Sequence, residues 1–403
     1  MHSWTQPQLQ YAIHNYAHCS PELQERIAHA VTEKYSYEAY VEEVAFKKEA
    51  LCRLERTKSE NTALPQGFPP TMDAQSIETT PKDLSTSAVL IMAGGAGERL
   101  KQSLLAEGYS PEDLTDFTKA TFPLPGRTDK AGTLELTLTM IRRFSPEIPV
   151  IVTTGPVGST TARVIPDLLS RNNNFGLSNL QVLPQNERLH LTHENKIAWV
   201  ENHGTVQLIT SPDETGGPIM KLKSQLPKGE MVLTWLRNLG RTKTIVLQGT
   251  AVYRPEILPL MASAGTTCDA LGIGISRTSF PQDDPYGSFV ERSRRIYIIE
   301  KDARTPHTYS LCDPAGKHLP FNTGFYVFSN SVLAEKSLPP FAVRDKEVLP
   351  DLPHAAKTGY AATDLLPLVD NSRVLTIPAE DFTVIKQSSD LPTVARAAEE
   401  FGL

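Results

Sequence analysis

The chain has 403 residues, 40% of them hydrophobic and 21% charged, with a formal net charge of −6; this is the make-up of a soluble globular protein with more than one packed unit. A negative balance without any lysine or arginine run argues against a nucleic-acid binder; no stretch reaches the ~20 apolar residues of a membrane span, and MHSWTQPQLQ opens without a signal-peptide core. Cys19, Cys52, Cys268 and Cys312 show no paired spacing, which excludes a disulfide framework or zinc knuckle and fits a reducing, cytoplasmic compartment.

Residues 1–56 read as a helical N-terminal segment. Ser20-Pro21 has the form of an N-cap followed by proline in the first turn. Leu23, Ile27 and Val31 then place a stripe on one helix face, and residues 42–56 carry acids early and bases late, as the helix dipole favours. Residues 57–83, with Pro65, Pro69, Pro70 and Pro81 among Ser, Thr and Gln, read as a connecting arm.

From residue 84 to 371 short β-rich runs alternate with helical ones. The expected strands are 88–93, 149–154, 180–184, 244–248 and 270–275, and the expected helices 133–144, 160–171, 229–239 and 255–263. That alternation predicts an α/β core with a mainly parallel sheet covered on both faces. HLTHENKIAWVE (190–201) and YGSFVERSRRIYIIE (286–300) read as hairpins forming a small antiparallel patch. Residues 372–403 read as a strand followed by a helix from about Leu391.

One stretch carries the chemistry. The apolar run Val89-Leu90-Ile91-Met92 stops at Ala93, and Gly94, Gly95 and Gly97 precede Glu98-Arg99. A strand, a glycine bend and then a helix expose backbone N–H groups to an anion, and missing β-carbons let a phosphate or a flat base come close. The phosphate-loop pattern fails for want of Gly-Lys-Ser/Thr, and the dinucleotide fingerprint fails because Leu100 stands at its third glycine. A purely structural tight turn is the competing reading.

The bend resembles the Gly-Gly-x-Gly-Thr-Arg-Leu signature of the UDP-sugar pyrophosphorylases, in their UDP-N-acetylglucosamine and UDP-glucose branches. Further resemblances follow in the family's order over about residues 87–392. VLPQNERL maps the uracil-reading glutamine to Gln185; SPDETGGPIMKL places Thr215 and Gly216 near base and ribose. YGSFVERSRRIYIIEK matches a sugar-contacting hairpin through Gly287 and Glu300. FNTGFYVFSN puts Asn322, with Gly324, over the sugar hydroxyls, and DFTVIKQSSDL supplies Lys386.

The resemblance implies a Rossmann-like nucleotidyltransferase core that joins UTP to a sugar 1-phosphate by in-line attack on the α-phosphorus, releasing pyrophosphate, with Mg2+ as cofactor. Ala93, Gly94, Gly95 and Gly97 would seat the nucleotide, Arg99 would grip the departing pyrophosphate with its planar fork, and Lys119 and Lys386 would stand at the phosphates as point charges. No protein nucleophile is needed, because the substrate supplies one. Each residue keeps an ordinary reading too: surface lysines, a loop-capping Gln185, a turn-forming Asn322. Lys119 follows the bend after an insertion, LLAEGYSPEDLTD. His190 and His193 have an odd spacing that sends them to opposite faces of a strand, against a shared metal.

The largest departure is in TIVLQGTAVY: where the family carries a magnesium-binding aspartate, this chain has Gly249. Glu98, in place of the signature's threonine, is the candidate carboxylate for the ion, against its plain reading as an acid in a helix's first turn. The expected function is therefore a uridylyltransferase making a UDP-sugar of N-acetylhexosamine or glucose type. The alternative is a catalytically silent relative that binds nucleotide or nucleotide sugar.

Overall fold

The computed structural model describes residues 4–63, 66–95, 97–281, 286–343 and 357–403. The chain clusters into two compact units, one of residues 1–60, 186–217 and 338–362, the other of residues 61–185, 218–337 and 363–403. Among the described residues no helix is long and apolar enough to cross a membrane.

The first unit is built on α1 (Gln6–Ala12), α2 (Pro21–Lys34) and most of α3 (Tyr37–Ala63). Ser20 caps α2 as its sequence suggests, its Oγ accepting from the Leu23 N–H. Ile27 and Val31 are fully buried and pack with Leu9, Tyr16, Tyr40, Leu189 and Ile197. Lys47 is buried on α3, and its Nζ donates to the carbonyl of Thr192 and to Asn195 Oδ1. That ammonium pins the turn at 192–195. The hairpin expected over 190–201 differs in detail: Trp199–Asn202 pairs with Thr205–Leu208, and Glu187–Leu189 pairs with Thr210–Pro212. The ladder reverses at His203-Gly204, both at positive φ, the turn geometry that matches strand twist.

The second unit carries a ten-stranded sheet. Its strands are β1 (Thr71–Asp73), β2 (Ser87–Met92), β3 (Val150–Thr154), β4 (Leu180–Pro184), β5 (Lys243–Gln248), β6 (Ala270–Arg277), β7 (Ser288–Arg292), β8 (Arg295–Ile299), β9 (His318–Ser329) and β10 (Ser372–Ile377). The order is β1-β10-β6-β9-β5-β2-β3-β4, with the β7–β8 hairpin attached to β9. Every neighbouring pair on that path is parallel except those of β9, which runs antiparallel between β5 and β6. The fold is thus the expected α/β class with a largely parallel sheet, a small antiparallel patch and a helical N-terminal segment.

Strands covered on both faces read as unbroken apolar runs. Val89, Ile91, Val150, Val152, Ile245 and Leu247 join one core with Leu138 and Ile141 of α5 (Thr133–Phe144), Ile165 of α6 (Thr160–Arg171) and Leu258 and Met261 of α8 (Ile257–Gly265). Between them α7 (Val232–Asn238) starts three residues later than expected, after a turn in which Gly229 N–H bonds the Leu226 carbonyl. A second cluster joins α4 (Glu98–Ala106) to the tail helix α9 (Leu391–Glu400) through Leu100, Leu104, Leu114, Phe117, Ile385 and Val394.

The segment expected as a connecting arm does more than connect. It continues α3 to Ala63 and then supplies β1, with Met72 opposite Leu375 of β10. Three residues are too few to show a period, and Pro69 and Pro70 sit just before this edge strand, where a missing N–H is tolerated.

The chain runs β2, β3, β4 outward on one side of β2 and then returns to place β5 on the other side. The strand order therefore reverses at β2/β5, and in open α/β sheets the crevice outside the carboxyl ends at such a reversal is where ligands bind. The glycine bend leaves β2 at that point. The β7–β8 hairpin is anchored by Phe289, fully buried against β6, whose Gly272 would put a β-carbon 2.4 Å from the Phe289 ring. Gly272→Ala should therefore overpack this face and lower stability by about 1–3 kcal/mol, read as a drop in urea midpoint; an unchanged midpoint would show that the hairpin is not seated by this ring.

Candidate active site at the carboxyl ends of the central strands

The three glycines of the bend have three different causes. A β-carbon on Gly94 would lie 2.6 Å from the Thr154 carbonyl oxygen and 2.8 Å from Gln185 Nε2, so the protein itself excludes a side chain there. Gly97 sits at φ 71 as the N-cap of α4, with no side-chain cap, and a β-carbon would come within 2.8 Å of Lys119 Cβ. Gly95 is exposed, and among the described residues a β-carbon on it would meet nothing within 4 Å. Its bare backbone faces open space. Ala93 is buried, its N–H bonded to the Thr153 carbonyl at 2.9 Å; Ala96 lies outside the described residues.

Cations gather where α4 begins. The insertion after α4 buries Leu104 and Leu114 and folds back to set Lys119 against Gly97. Burial pushes the Lys119 ammonium down to about 8; Asp390 opposes the shift, while Lys386 and Arg99 add to it. Arg99 is exposed in the first turn of α4 beside Glu98, also exposed. Lys386 is half-buried, its backbone N–H donates to Asp390 Oδ2 at 2.7 Å, and its Nζ stands 3.5 Å from the centre of the Tyr286 ring. A desolvated lysine with further cations in electrostatic reach is a common feature of functional sites, and also occurs in structural networks.

Gln185 follows β4, its N–H bonded to the Thr154 carbonyl and its amide over Gly94. The residues singled out for a sugar also converge. Asn322 N–H donates to the Gly287 carbonyl at 2.7 Å, and a β-carbon on Gly287 would lie 2.9 Å from Glu300 Oε1. Glu300 keeps exposed surface, yet protein atoms crowd its carboxyl. That desolvation raises its pKa, Asp302 adds to the rise, and Arg304 and Lys386 oppose it. Gly324, at φ 77, backs onto the Gln248 amide, which donates to the Thr323 carbonyl at 3.0 Å. Lys386 thus couples to both Lys119 and Glu300.

Thr215 and Gly216 belong to the other compact unit. There Gly216 N–H bonds the Tyr360 carbonyl at 2.7 Å, and a β-carbon would meet Tyr360 and Leu338 at 2.6–2.7 Å, a packing cause for that glycine. Thr215 Oγ1 accepts from the Ala362 N–H. In the same unit the buried His190 ring, pushed down to about 4 by desolvation and then by Lys357, bonds Ser211 Oγ at 2.8 Å, whereas His193 is exposed.

The position of the family's aspartate is closed. A β-carbon on Gly249 would sit 3.2 Å from Ala93 Cβ and from the Met92 carbonyl oxygen, and 3.3 Å from Ile91 Cγ2. Among the described residues no group of three or more His, Cys, Asp or Glu could hold a metal ion. Among the described residues the donor set does not fit a magnesium ion held by protein ligands alone; Glu98 offers one exposed carboxylate, which suits an ion that arrives on substrate phosphates.

Sequence reasoning missed Tyr286, Asp390, Gln248 and Tyr326. All four lie inside quoted stretches, Tyr286 beside Gly287, Gln248 beside Gly249 and Asp390 four residues after Lys386, and Tyr326 had the further signal that Asn322, Gly324 and Tyr326 alternate along β9.

No family model and no curated sequence relative matches the chain. Solved structures do. A UDP-N-acetylglucosamine pyrophosphorylase of Trypanosoma brucei in complex with an inhibitor is 16% identical, with a TM-score of 0.69 over 98% of this chain and 82% of that one. A UDP-glucose pyrophosphorylase variant of Leishmania major bound to UDP-glucose is 16% identical, with a TM-score of 0.59 over 82% and 70%. A UDP-glucose phosphorylase of Trypanosoma brucei, also 16% identical, gives 0.60 over the same shares. The chain shares their fold.

Lys119 links the site to stability. Its folded pKa of about 8 lies below the usual 10.5, so the charged lysine destabilises the fold below about pH 8, and that cost lifts as pH rises from about 8 to 10.5. Lys119→Met should raise the urea midpoint at pH 7 and lose this margin near pH 10.5; an equal margin at both values would place the lysine in water.

Proposed function

We propose that this chain, with the fold of the UDP-sugar pyrophosphorylases, is a uridylyltransferase that makes a UDP-sugar and pyrophosphate from UTP and a sugar 1-phosphate. The observation that carries the reading is the open backbone at Gly95, at the strand-order reversal, in a bend whose Gly94 lies against the Gln185 amide and whose Gly97 lies against Lys119, with Lys386 and Arg99 in electrostatic reach of that lysine.

Each residue type suits its role. The Gln185 amide offers an acceptor beside donors, the complement of an imide edge such as uracil's. Ala93, Gly94, Gly95 and Gly97 seat the nucleotide's phosphates on bare backbone at the start of α4. A phosphate oxygen of the sugar 1-phosphate bonds to the α-phosphorus of UTP as the α–β bridging bond breaks, and pyrophosphate leaves. Lys386 and Lys119 neutralise the charge that spreads over the transferring phosphoryl group, and Arg99 holds the leaving pyrophosphate. Glu300, Gly287, Asn322 and Gly324 hold an N-acetylhexosamine or glucose moiety. Magnesium belongs to this reading as an ion carried by UTP, with Glu98 as its one protein carboxylate, and supplies further charge neutralisation when bound. Four free thiols suit a cytoplasmic setting.

A second reading, a silent relative that binds nucleotide or nucleotide sugar without turnover, is favoured by one observation: Gly249 and its close neighbours stand where the family places its metal ligand.

Mixing the protein with UTP, magnesium and a panel of sugar 1-phosphates should release pyrophosphate with at least one sugar. Gln185→Ala should raise the KM for UTP roughly tenfold, the worth of a lost hydrogen bond with its desolvation. Lys386→Ala should lower kcat by about 10²–10³, as for other charge-stabilising groups. UTP binding without pyrophosphate release would select the silent reading.

A further inference from the structure

We propose that Tyr326 is a positioning residue that fixes Asn322 as a hydrogen-bond donor only, so that the sugar subsite selects a nucleotide sugar presenting an acceptor oxygen at that point. The inference rests on Asn322 facing the sugar in the reading above.

An amide side chain ordinarily offers both polarities, and which end is oxygen must be settled by its partners. Here a backbone donor settles it. The Gly324 N–H donates to Asn322 Oδ1 at 2.9 Å, so that atom is the oxygen. Tyr326 Oη donates to the same oxygen at 3.1 Å and accepts from Asn322 Nδ2 at 2.8 Å. Both acceptor sites of Oδ1 are taken, and one N–H of Nδ2 remains for a ligand. Asn322 is half-buried, whereas Tyr326 is 2% exposed.

The surroundings hold the arrangement. Thr323 Oγ1 donates to the Ile273 carbonyl at 2.8 Å and accepts from the Phe325 N–H, locking β9 in the local irregularity that turns Gly324 to φ 77. The Gln248 amide holds the Thr323 carbonyl from the other side. Tyr326 itself is stacked against Phe328, with ring centres 5.7 Å apart. Burial pushes its phenol well above the ordinary range, with Glu300 and Asp364 adding to this and the Asn322 bond opposing it, so it remains a neutral donor at every physiological pH.

A donor-only contact makes a chemical demand. A sugar hydroxyl or the carbonyl of an acetamido group satisfies it. A ligand with hydrogen at that position leaves the N–H unmet, and a fluorine there, an acceptor that cannot donate, is tolerated better than hydrogen.

The test is calorimetric and needs no turnover. Titrate UDP, a UDP-sugar, and analogues with each hydroxyl replaced in turn by hydrogen or fluorine into the native chain, Tyr326→Phe, Asn322→Ala and the double variant. Tyr326→Phe keeps the ring and its stacking, so thermal unfolding should change little. Its affinity for the UDP-sugar should fall roughly three- to tenfold, the worth of one hydrogen bond, with UDP unaffected and the fluorine-over-hydrogen preference gone. In the Asn322→Ala background it should cost nothing more, because the two act as one unit. Equal losses for UDP and UDP-sugar, or full additivity in the double variant, would reduce Tyr326 to a structural brace. If the native chain binds neither ligand, the uridylyltransferase reading falls and takes this inference with it.

Discussion

The constraint on which the site depends is that backbone must stay bare where β2 ends. At that point the sheet's connections diverge to opposite sides, and the chain must pass from a buried strand into a helix within five residues. Gly94 is pressed by Thr154 and Gln185, and Gly97 takes a positive φ against Lys119. Those two contacts fix the path of the bend and bring an amide and an ammonium to its two sides. Gly95, between them, is bare for no reason internal to the fold. A residue whose smallness the fold does not require marks a space reserved for something else.

The second property is charge held against the preference of the fold. Lys119 is desolvated within reach of Lys386 and Arg99, which add to the depression of its pKa, while Asp390 opposes it. Asp390 is itself committed to the N–H groups of Lys386 and Gln387. Such an arrangement lowers stability in the free chain and is relieved by an anion, the usual relation between a binding site and the fold that carries it. Lys386 couples electrostatically to both Lys119 and Glu300, and so links the cations beside the bend to the residues that the proposed function gives to the sugar. Under the proposed function, with Gly249 closely packed by β2, the neutralisation of phosphate charge falls to these positive side chains.

Much of this was legible in the sequence. The apolar runs gave the parallel strands because strands buried on both faces carry no period to obscure them, and the glycine bend stood out because side chains vanish abruptly after such a run. The edge strand at Thr71–Asp73 was hidden by its brevity and by neighbouring prolines. The nested ladders at 187–212 were hidden because their reversal uses His203, a residue with little turn signal, ahead of Gly204. Tyr286 and Asp390 lie inside quoted motifs, beside Gly287 and four residues after Lys386, yet the sequence did not show that Lys386 contacts both, because Tyr286 is distant from it along the chain and Asp390 reaches it through a backbone N–H. Lys119 could be read only by allowing an insertion, and the folding-back of Leu104 and Leu114 into one cluster explains how that insertion leaves the lysine beside the bend.

The most direct test of the phosphate seat is to fill Gly95. Its backbone has no positive φ and its β-carbon would meet no atom of the described residues within 4 Å, so Gly95→Leu should leave thermal unfolding unchanged. Calorimetric titration with UTP and magnesium should show binding to the native chain and none to the variant. UTP binding of equal affinity in both would contradict the account, because the nucleotide would then lie somewhere other than the open backbone at the end of β2.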